Sequence, residues 1–169
     1  LSLRRQRQMC IRDSLEVIQL AIHSMSNLGL QNMRLVLNNI GDHNDRKIYI
    51  DALKEHLATH TSNMGEDDRR RYETNPLRVL DSKELSQETF IDLAPKSADF
   101  LGVDAKDHWE ELLGYLELMG ISYTLDHKLV RGLDYYTRTV FEIHPAVTGA
   151  QSAVCAGGRY DGLFEELGG

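Results

Sequence analysis

Helical periodicity fills the middle of this chain and strand-type residues flank it, an order that confines the fold to a mixed α+β class. From Leu15 to Leu28 apolar residues fall at Leu15, Ile18, Ile22 and Met25, a helical stripe with Gly29 as its natural stop. Met33 to Leu37 is an apolar run of strand length, ending at Asn38-Asn39-Ile40-Gly41. Asp42 or Asn44 can then cap a helix with Ile48, Leu53 and Leu57 on its face. Glu66 to Arg71 sets acids ahead of bases and predicts an exposed, charge-laced helix. Asn75-Pro76 and Ala94-Pro95 are breaks, because proline disfavours a helical residue before it. Asp104 is positioned to cap a further helix, striped by Trp109, Leu112, Leu113, Leu116 and Met119 and ended by Gly120. Residues 42–120 therefore form a small, mainly helical module between two strand-bearing pieces.

Past Gly120 the period shortens. Ile121 to Leu125 and Tyr136 to His144 are rich in β-branched and aromatic residues and predict strands. Ala146 to Gly149 suits a turn, Ser152 to Cys155 a strand leading into a bend at Gly157-Gly158, and Tyr160 to Leu167 a short helix.

Bulk properties exclude several classes. Of 169 residues, 41% are apolar and only three are proline, which describes a folded globular chain and not a disordered one. No apolar run approaches the roughly 20 residues that span a bilayer, and the opening residues lack the apolar core of a secretory signal. Two cysteines, Cys10 and Cys155, are too few for a disulfide framework, so a reducing cytoplasm is the expected compartment and Cys155 a buried thiol. The net charge is −7, and residues 1–14 carry a local +3, leaving −10 on the rest. Non-specific nucleic-acid binding by the whole body is thereby disfavoured, and any such contact must use local basic patches. Arg69, Arg70 and Arg71 could form one, but a solvated face is the simpler reading. His56 and His60 have the spacing of a helical metal pair, yet no third ligand accompanies them, so they are expected to be surface histidines and no metal site is assigned.

The chemistry gathers in two clusters. Leu129 to Glu142 puts a fixed cation (Arg131), a permissive Gly132, an anion (Asp134) and two phenols (Tyr135, Tyr136) into one stretch. Cys155 to Leu163 follows with Gly157, Gly158, Arg159, Tyr160 and Asp161. Together they offer a guanidinium for a carboxylate or phosphate, phenols for a small polar ligand, and glycines that let a ligand approach backbone. The same residues also suit a β-hairpin with a tyrosine-lined core and a glycine turn.

In order and spacing, Arg131-Gly-Leu-Asp-Tyr-Tyr136 and Ala156-Gly-Gly-Arg-Tyr-Asp-Gly-Leu163 resemble the two histidine-specific motifs of the histidyl-tRNA synthetases, class II aminoacyl-tRNA synthetases. Asn75-Pro-Leu-Arg-Val-Leu-Asp-Ser-Lys83 is similar to a family segment upstream, and the resemblance runs from about Leu15 to Gly169. It implies an antiparallel class II catalytic sheet, residues 15–41 and 121–169, interrupted by the insertion domain, 42–120, that meets the acceptor end of tRNA in that family. Residues 1–14 fall outside it. They suit a basic tail, a nucleic-acid arm or, favoured here, a junction joined to a truncated coding region.

The resemblance also implies roles. Arg131 is the expected catalytic residue, a guanidinium bridging the histidine carboxylate and the α-phosphate of ATP; pairing with Asp134 or another carboxylate is the structural alternative. Tyr135, Tyr136 and Tyr160 are expected to line the histidine pocket, and Gly157 and Gly158 to pass beneath the substrate. Adjacent tyrosines on an ideal strand point to opposite faces, so the resemblance demands a bend there or core packing of one of them. Asp134 and Asp161 are expected to be structural, and Arg138, where glycine is common in the family, receives no role. Histidine, ATP with Mg2+ and tRNA-His are the expected partners, with a homodimer as the full-length assembly and no membrane. The family's dimer-forming and main ATP-binding motifs are expected before this stretch and its anticodon-binding domain after it, so the isolated chain is expected not to activate histidine. A histidine-binding regulatory subunit of ATP phosphoribosyltransferase is the competing paralogue, one that lacks the helical insertion and usually the arginine motif.

Overall fold

A computed structural model describes residues 3–131, 135–146, 153–163 and 167–168, with residues 3–10 described by their backbone alone. Helix α1 (Leu3–Asn27) leads to strand β1 (Met33–Asn39), then come α2 (His43–Ala58), α3 (Glu66–Thr74), the single turns α4 (Leu77–Leu80) and α5 (Thr89–Asp92), and α6 (Val103–Leu118). Strands β2 (Tyr123–Leu125), β3 (Thr137–Pro145) and β4 (Cys155–Arg159) follow.

The four strands form one sheet in the order β2-β1-β3-β4. β1 and β3 run antiparallel from Met33 opposite Pro145 to Asn39 opposite Thr139, and β4 continues antiparallel on β3. β2, however, lies parallel to β1, with Leu35 opposite Tyr123. The sheet is therefore mixed and not wholly antiparallel. The long helical crossover between β1 and β2 makes this possible, since a parallel partner must return to the end where its neighbour began.

Strand alternation divides the sheet's side chains. Leu35, Leu37, Phe141 and Ile143 face a layer formed by Ile11, Leu15 and Ile18 of α1 and by Trp109, Leu112 and Leu116 of α6. Val36, Ile40 and Val140 point the other way, where Leu129 and Tyr136 cover them. A third cluster lies around Tyr49, Leu53, Leu57, Val79, Leu80 and Ile91, and Val130 from the Arg131 segment packs into it. α6 thus shares its core with α1 and the sheet, whereas α2 to α5 surround a core of their own.

Several local expectations change on folding. α1 runs unbroken through residue 14, and Ile11 is fully buried, so the helix begins well before the stripe that starts at Leu15. On α2 the inward face is Asp45, Tyr49, Leu53 and Leu57, while Ile48 is exposed. Asp42 does cap this helix, and Asp45 returns a bond to the Asp42 N–H to complete a capping box. α6 is capped by Gly102, with Asp104 inside the first turn, and Met119 lies past the helix end, half-exposed. α3 is not wholly a surface helix: Asp68 is buried and accepts hydrogen bonds from the Ser82 hydroxyl at 2.9 Å and from Arg71 at 3.0 Å. A buried carboxylate requires such partners, and they tie α3 to the residues after α4.

β3 opens on a bulge against β4, where Arg138 and Thr139 lie between the paired Thr137 and Val140, and Arg138 is held in the left-handed region at φ 54°. Its N–H donates to Gly41 O and its carbonyl accepts from Ile40 N–H, both at 2.8 Å. The bulge pins the end of β1 and bends β3 just after the tyrosine pair. A side chain in this conformation costs about 1 kcal/mol, which glycine avoids while keeping both bonds. Arg138→Gly is accordingly expected to stabilise the fold by about 1 kcal/mol, seen as a higher denaturant midpoint with an unchanged slope.

Candidate active site

The backbone of Leu129–Arg131 is held before any side chain acts. The Asn38 amide, buried at the end of β1, donates to Leu129 O at 3.0 Å. The Ser97 hydroxyl, from a single 3-10 turn (Ser97–Phe100), donates to Asn39 O at 2.6 Å and lies 3.3 Å from Asn38 Oδ1. Asp45 accepts from Gly102 N–H at 2.8 Å, and Arg46 donates through Nη2 to the carbonyl of Tyr136. The strand end, α2 and the segment leading into α6 thus converge on the two backbone stretches that carry Arg131 and Tyr136.

Arg131 is one-quarter exposed, and its Nη1 donates to Glu142 Oε1 at 3.0 Å. The other carboxylate oxygen of Glu142 meets His144 Nε2 at 2.9 Å. The guanidinium carbon stands 5.5 Å from the centre of the Tyr136 ring, within cation–π range. Arg131 Nε is buried and has no hydrogen-bond partner among the described residues. The carboxylate partner is therefore Glu142, and Asp134 and Gly132 lie outside the described residues. Asp81, within the Asn75–Lys83 stretch, belongs to the same electrostatic neighbourhood: burial and then Glu142 push its carboxyl up, against the lowering pull of Arg71, Arg78 and Arg131.

The three tyrosines meet. Tyr135 and Tyr136 have ring centres 5.0 Å apart, and Tyr160 stands edge-on to both at 6.0 and 6.1 Å. The conflict with strand alternation disappears because β3 begins only at Thr137, so neither Tyr135 nor Tyr136 is a strand residue. Tyr136 is buried and Tyr160 half-exposed.

Gly157 and Gly158 lie inside β4 and not at a bend after it. Their lack of a side chain is used by neighbouring rings. A Cβ on Gly157 would stand 2.8 Å from the Phe141 ring, and one on Gly158 would stand 2.7 Å from the Tyr136 ring and 2.8 Å from Thr139 O. The pair lets aromatic side chains of β3 and its lead-in lie flat on β4.

A groove of about 670 Å³ opens beside β4, which is an edge of this sheet, and is lined by Ser14 and Ile18 of α1 together with Tyr136, Gly157, Gly158 and Tyr160. Four of the six expected site residues therefore share one cavity. Tyr135 and Arg131 do not line it, and they join the group through Tyr136, by ring contact and by cation–π contact respectively. Cys155 also lines the groove and is half-buried, not the fully buried thiol expected. Asp161 is paired with Arg159 at 2.6 Å, consistent with a structural acid.

His56 and His60 are half-buried and not solvated: His56 Nε2 lies 2.8 Å from Phe90 O, and the His60 ring stacks on Phe90 at 4.5 Å. Among the described residues no three of His, Cys, Asp and Glu gather in a group suited to a metal ion. Glu142, His144, Asn38 and Arg46 were missed by sequence reasoning. Glu142 and His144 were within reach of it, because alternate residues of one strand share a face.

Gly158→Ala is expected to cost about 1–3 kcal/mol by overpacking, whereas Gly162→Ala, with nothing within 4 Å of its Cβ, changes stability by less than about 0.5 kcal/mol. Equilibrium denaturation of the two variants checks the contrast.

Comparison with known proteins identifies the family of this chain. A family model described as histidyl-tRNA synthetase matches residues 8–169, beginning within the segment that the sequence set apart. A histidine–tRNA ligase from Picosynechococcus sp. is 45% identical over 158 residues, covering 94% of this chain and 37% of that protein. The apo histidyl-tRNA synthetase of S. aureus superposes with a TM-score of 0.68 at 38% identity, covering 94% of this chain and 38% of that one. A Bacillus halodurans protein described as an ATP phosphoribosyltransferase regulatory subunit/histidyl-tRNA synthetase superposes at 0.55 with 23% identity over 94% of this chain and 45% of that one, a likeness of fold alone. The chain spans little more than a third of the length of the curated relatives it matches. With the family match reaching from α1 to the end of the chain and taking in both tyrosine-bearing clusters, this chain belongs to the histidyl-tRNA synthetase family.

Proposed function

We propose that the protein carrying this chain is a histidine–tRNA ligase, which activates histidine with ATP and transfers it to tRNA-His, and that this chain supplies one wall of the amino-acid pocket and the catalytic arginine. The observation that carries the reading is Arg131 itself: a guanidinium whose buried Nε has no acceptor among the described residues, beside a cluster of three tyrosines. A buried charged donor without an acceptor is costly unless a ligand completes it. A substrate carboxylate and the α-phosphate of ATP are such acceptors. During activation the carboxylate attacks that phosphorus while negative charge gathers between two anions, and a cation fixed beforehand stabilises this without reorganising. Phenols suit an imidazole because each can donate or accept as its tautomer requires.

In this reading Tyr136, Tyr160 and Tyr135 surround the histidine ring, Tyr136 facing it, and Gly157 and Gly158 bring backbone close to it. A divalent cation enters with the phosphates of ATP, and we assign no residue of this chain to it. The sheet-bearing segments belong to the catalytic domain and the helices after β1 to the insertion that meets tRNA. The core shared by α6 and the sheet argues for drawing the end of the insertion before α6. The full-length protein is proposed to work in the cytoplasm as a homodimer. No helix among the described residues is long and apolar enough to cross a membrane.

The test is histidine-dependent ATP–pyrophosphate exchange by the full-length protein. Arg131→Ala is expected to lower kcat by on the order of 10²–10³ while the fold survives, and Arg131→Lys to recover little because a point charge cannot bridge two anions in the same way. Undiminished exchange in Arg131→Ala would reduce Arg131 to an ion-pair partner of Glu142.

A further inference from the structure

The site contains a hydrogen-bonded chain of side chains that the proposed reaction leaves unexplained. Arg131, Glu142 and His144 stand in line, at 3.0 Å from guanidinium to carboxylate and 2.9 Å from carboxylate to imidazole. Glu142 and His144 are two apart on β3 and therefore on the same face of the sheet, the face of Val140 and Tyr136. All three side chains are largely buried, with exposures of 25%, 21% and 16%. Both oxygens of the carboxylate are committed, one to each neighbour. The carboxylate cannot turn without breaking a bond.

The strand holding this chain of side chains is an inner strand of the sheet. Glu142 pairs with Val36 on one side and with Ala156 on the other, so its backbone is fixed by the ladder across three strands. Arg131, in contrast, emerges from an irregular segment secured by the Asn38 amide at Leu129. A long side chain leaving such a segment has many rotamers and loses entropy when a ligand fixes it. Of its donors, only Nη1 is taken by Glu142, while Nε faces no acceptor among the described residues. The ring of Tyr136 lies against the guanidinium at 5.5 Å. One donor is thus tethered to the sheet.

We propose that Glu142, itself clamped by His144, is a positioning residue that fixes the Arg131 guanidinium before substrate binds. This rests on the reading of Arg131 as the group that meets the substrate anions. Glu142 touches no substrate. It restricts the guanidinium through one terminal nitrogen, and His144 restricts Glu142. The bond to His144 also satisfies the second oxygen of a largely buried carboxylate, which would otherwise be free to chelate the guanidinium and withdraw further donors. A preset arginine stabilises the transition state more than the ground state, because it has no orientation left to find when charge develops.

The experiment uses the full-length protein and measures pyrophosphate exchange with KM and kcat resolved for histidine and ATP. Glu142→Gln keeps shape and an acceptor but removes the charge, and His144→Asn keeps a donor while removing the ring. Glu142→Gln is expected to lower kcat and kcat/KM together by about tenfold to a hundredfold, with both KM values and the thermal midpoint near wild type. His144→Asn is expected to lose less. In an Arg131→Lys background Glu142→Gln is expected to cause little further loss, since the group it positions is gone. Wild-type kcat in Glu142→Gln, alongside a crippled Arg131→Ala, would overturn the positioning role and leave the reading of Arg131 standing. Full activity in Arg131→Ala would remove the premise instead. Faster exchange or a lower KM in Glu142→Gln would overturn the proposal in another way, by making the carboxylate a competitor for Arg131.

Discussion

The antiparallel pairing of β1 with β3 is the interaction on which the rest of the molecule depends. It joins Met33–Asn39 to Thr139–Pro145 across the whole intervening stretch 40–138, residue against residue without a break. Every other feature is referred to that ladder. β2 extends it on one side and β4 on the other, α1 and α6 cover one face, and the Arg131 segment with Tyr136 covers part of the opposite face. Because side chains alternate with period two, a slip of one residue would send Phe141 and Ile143 out of the helical layer and turn Glu142 away from Arg131. Register and site are one constraint.

The second level of organisation is the termination of that ladder. Beyond Asn39 the chain does not run on as a strand. The buried Asn38 and Asn39 instead use their side chains to take up local backbone groups and the Ser97 hydroxyl. At the matching end of β3, Arg138 adopts a left-handed conformation and trades hydrogen bonds with Ile40 and Gly41. Buried amides and a bulge do here what a tight hairpin does elsewhere: they end the pairing and aim the next residues. Those residues are Tyr135 and Tyr136 on one chain segment and Asp42, the cap of α2, on the other. α2 answers through Arg46 to the Tyr136 carbonyl, so the helical cluster and the tyrosine cluster are connected by backbone as well as by packing.

Much of the architecture was legible in the chain because its signals are local. The stripe of α6, the cap at Asp42 and the β-branched run of β3 each express a period or a cap that needs no knowledge of the fold. What escaped depends on contacts between distant residues. Nothing near Gly157 announces that Phe141 will lie upon it, so the sequence suggests a bend where the glycine pair forms a stretch of strand. Asp68 sits in a run of charges that resembles a solvated face, and only the approach of Ser82 makes it a buried acceptor. The parallel attachment of β2 follows from where a long crossover returns, which no window of sequence contains. At the site the asymmetry is the same. Arg131 and the tyrosines were marked by composition and by resemblance, whereas Glu142 looked like one more polar residue on a strand.

That asymmetry has a physical origin in how a fixed cation is made. An arginine that must meet anions cannot be neutralised fully, or it would have nothing left to offer, and cannot be left loose, or ligand binding would bear the entropy of ordering it. The arrangement around Arg131 lies between these limits. One carboxylate takes one nitrogen, a histidine keeps that carboxylate from taking more, an aromatic face supports the guanidinium without consuming a donor, and Nε stays buried and unspent among the described residues. Asp81 lies close enough to feel both Glu142 and Arg131, which brings the segment after α4 into the electrostatic surroundings of an arginine fifty residues further along. The helical cluster therefore reaches the site through Arg46 on the backbone of Tyr136, through Val130 packed into its core beside Arg131, and through Asp81 in the field around Arg131.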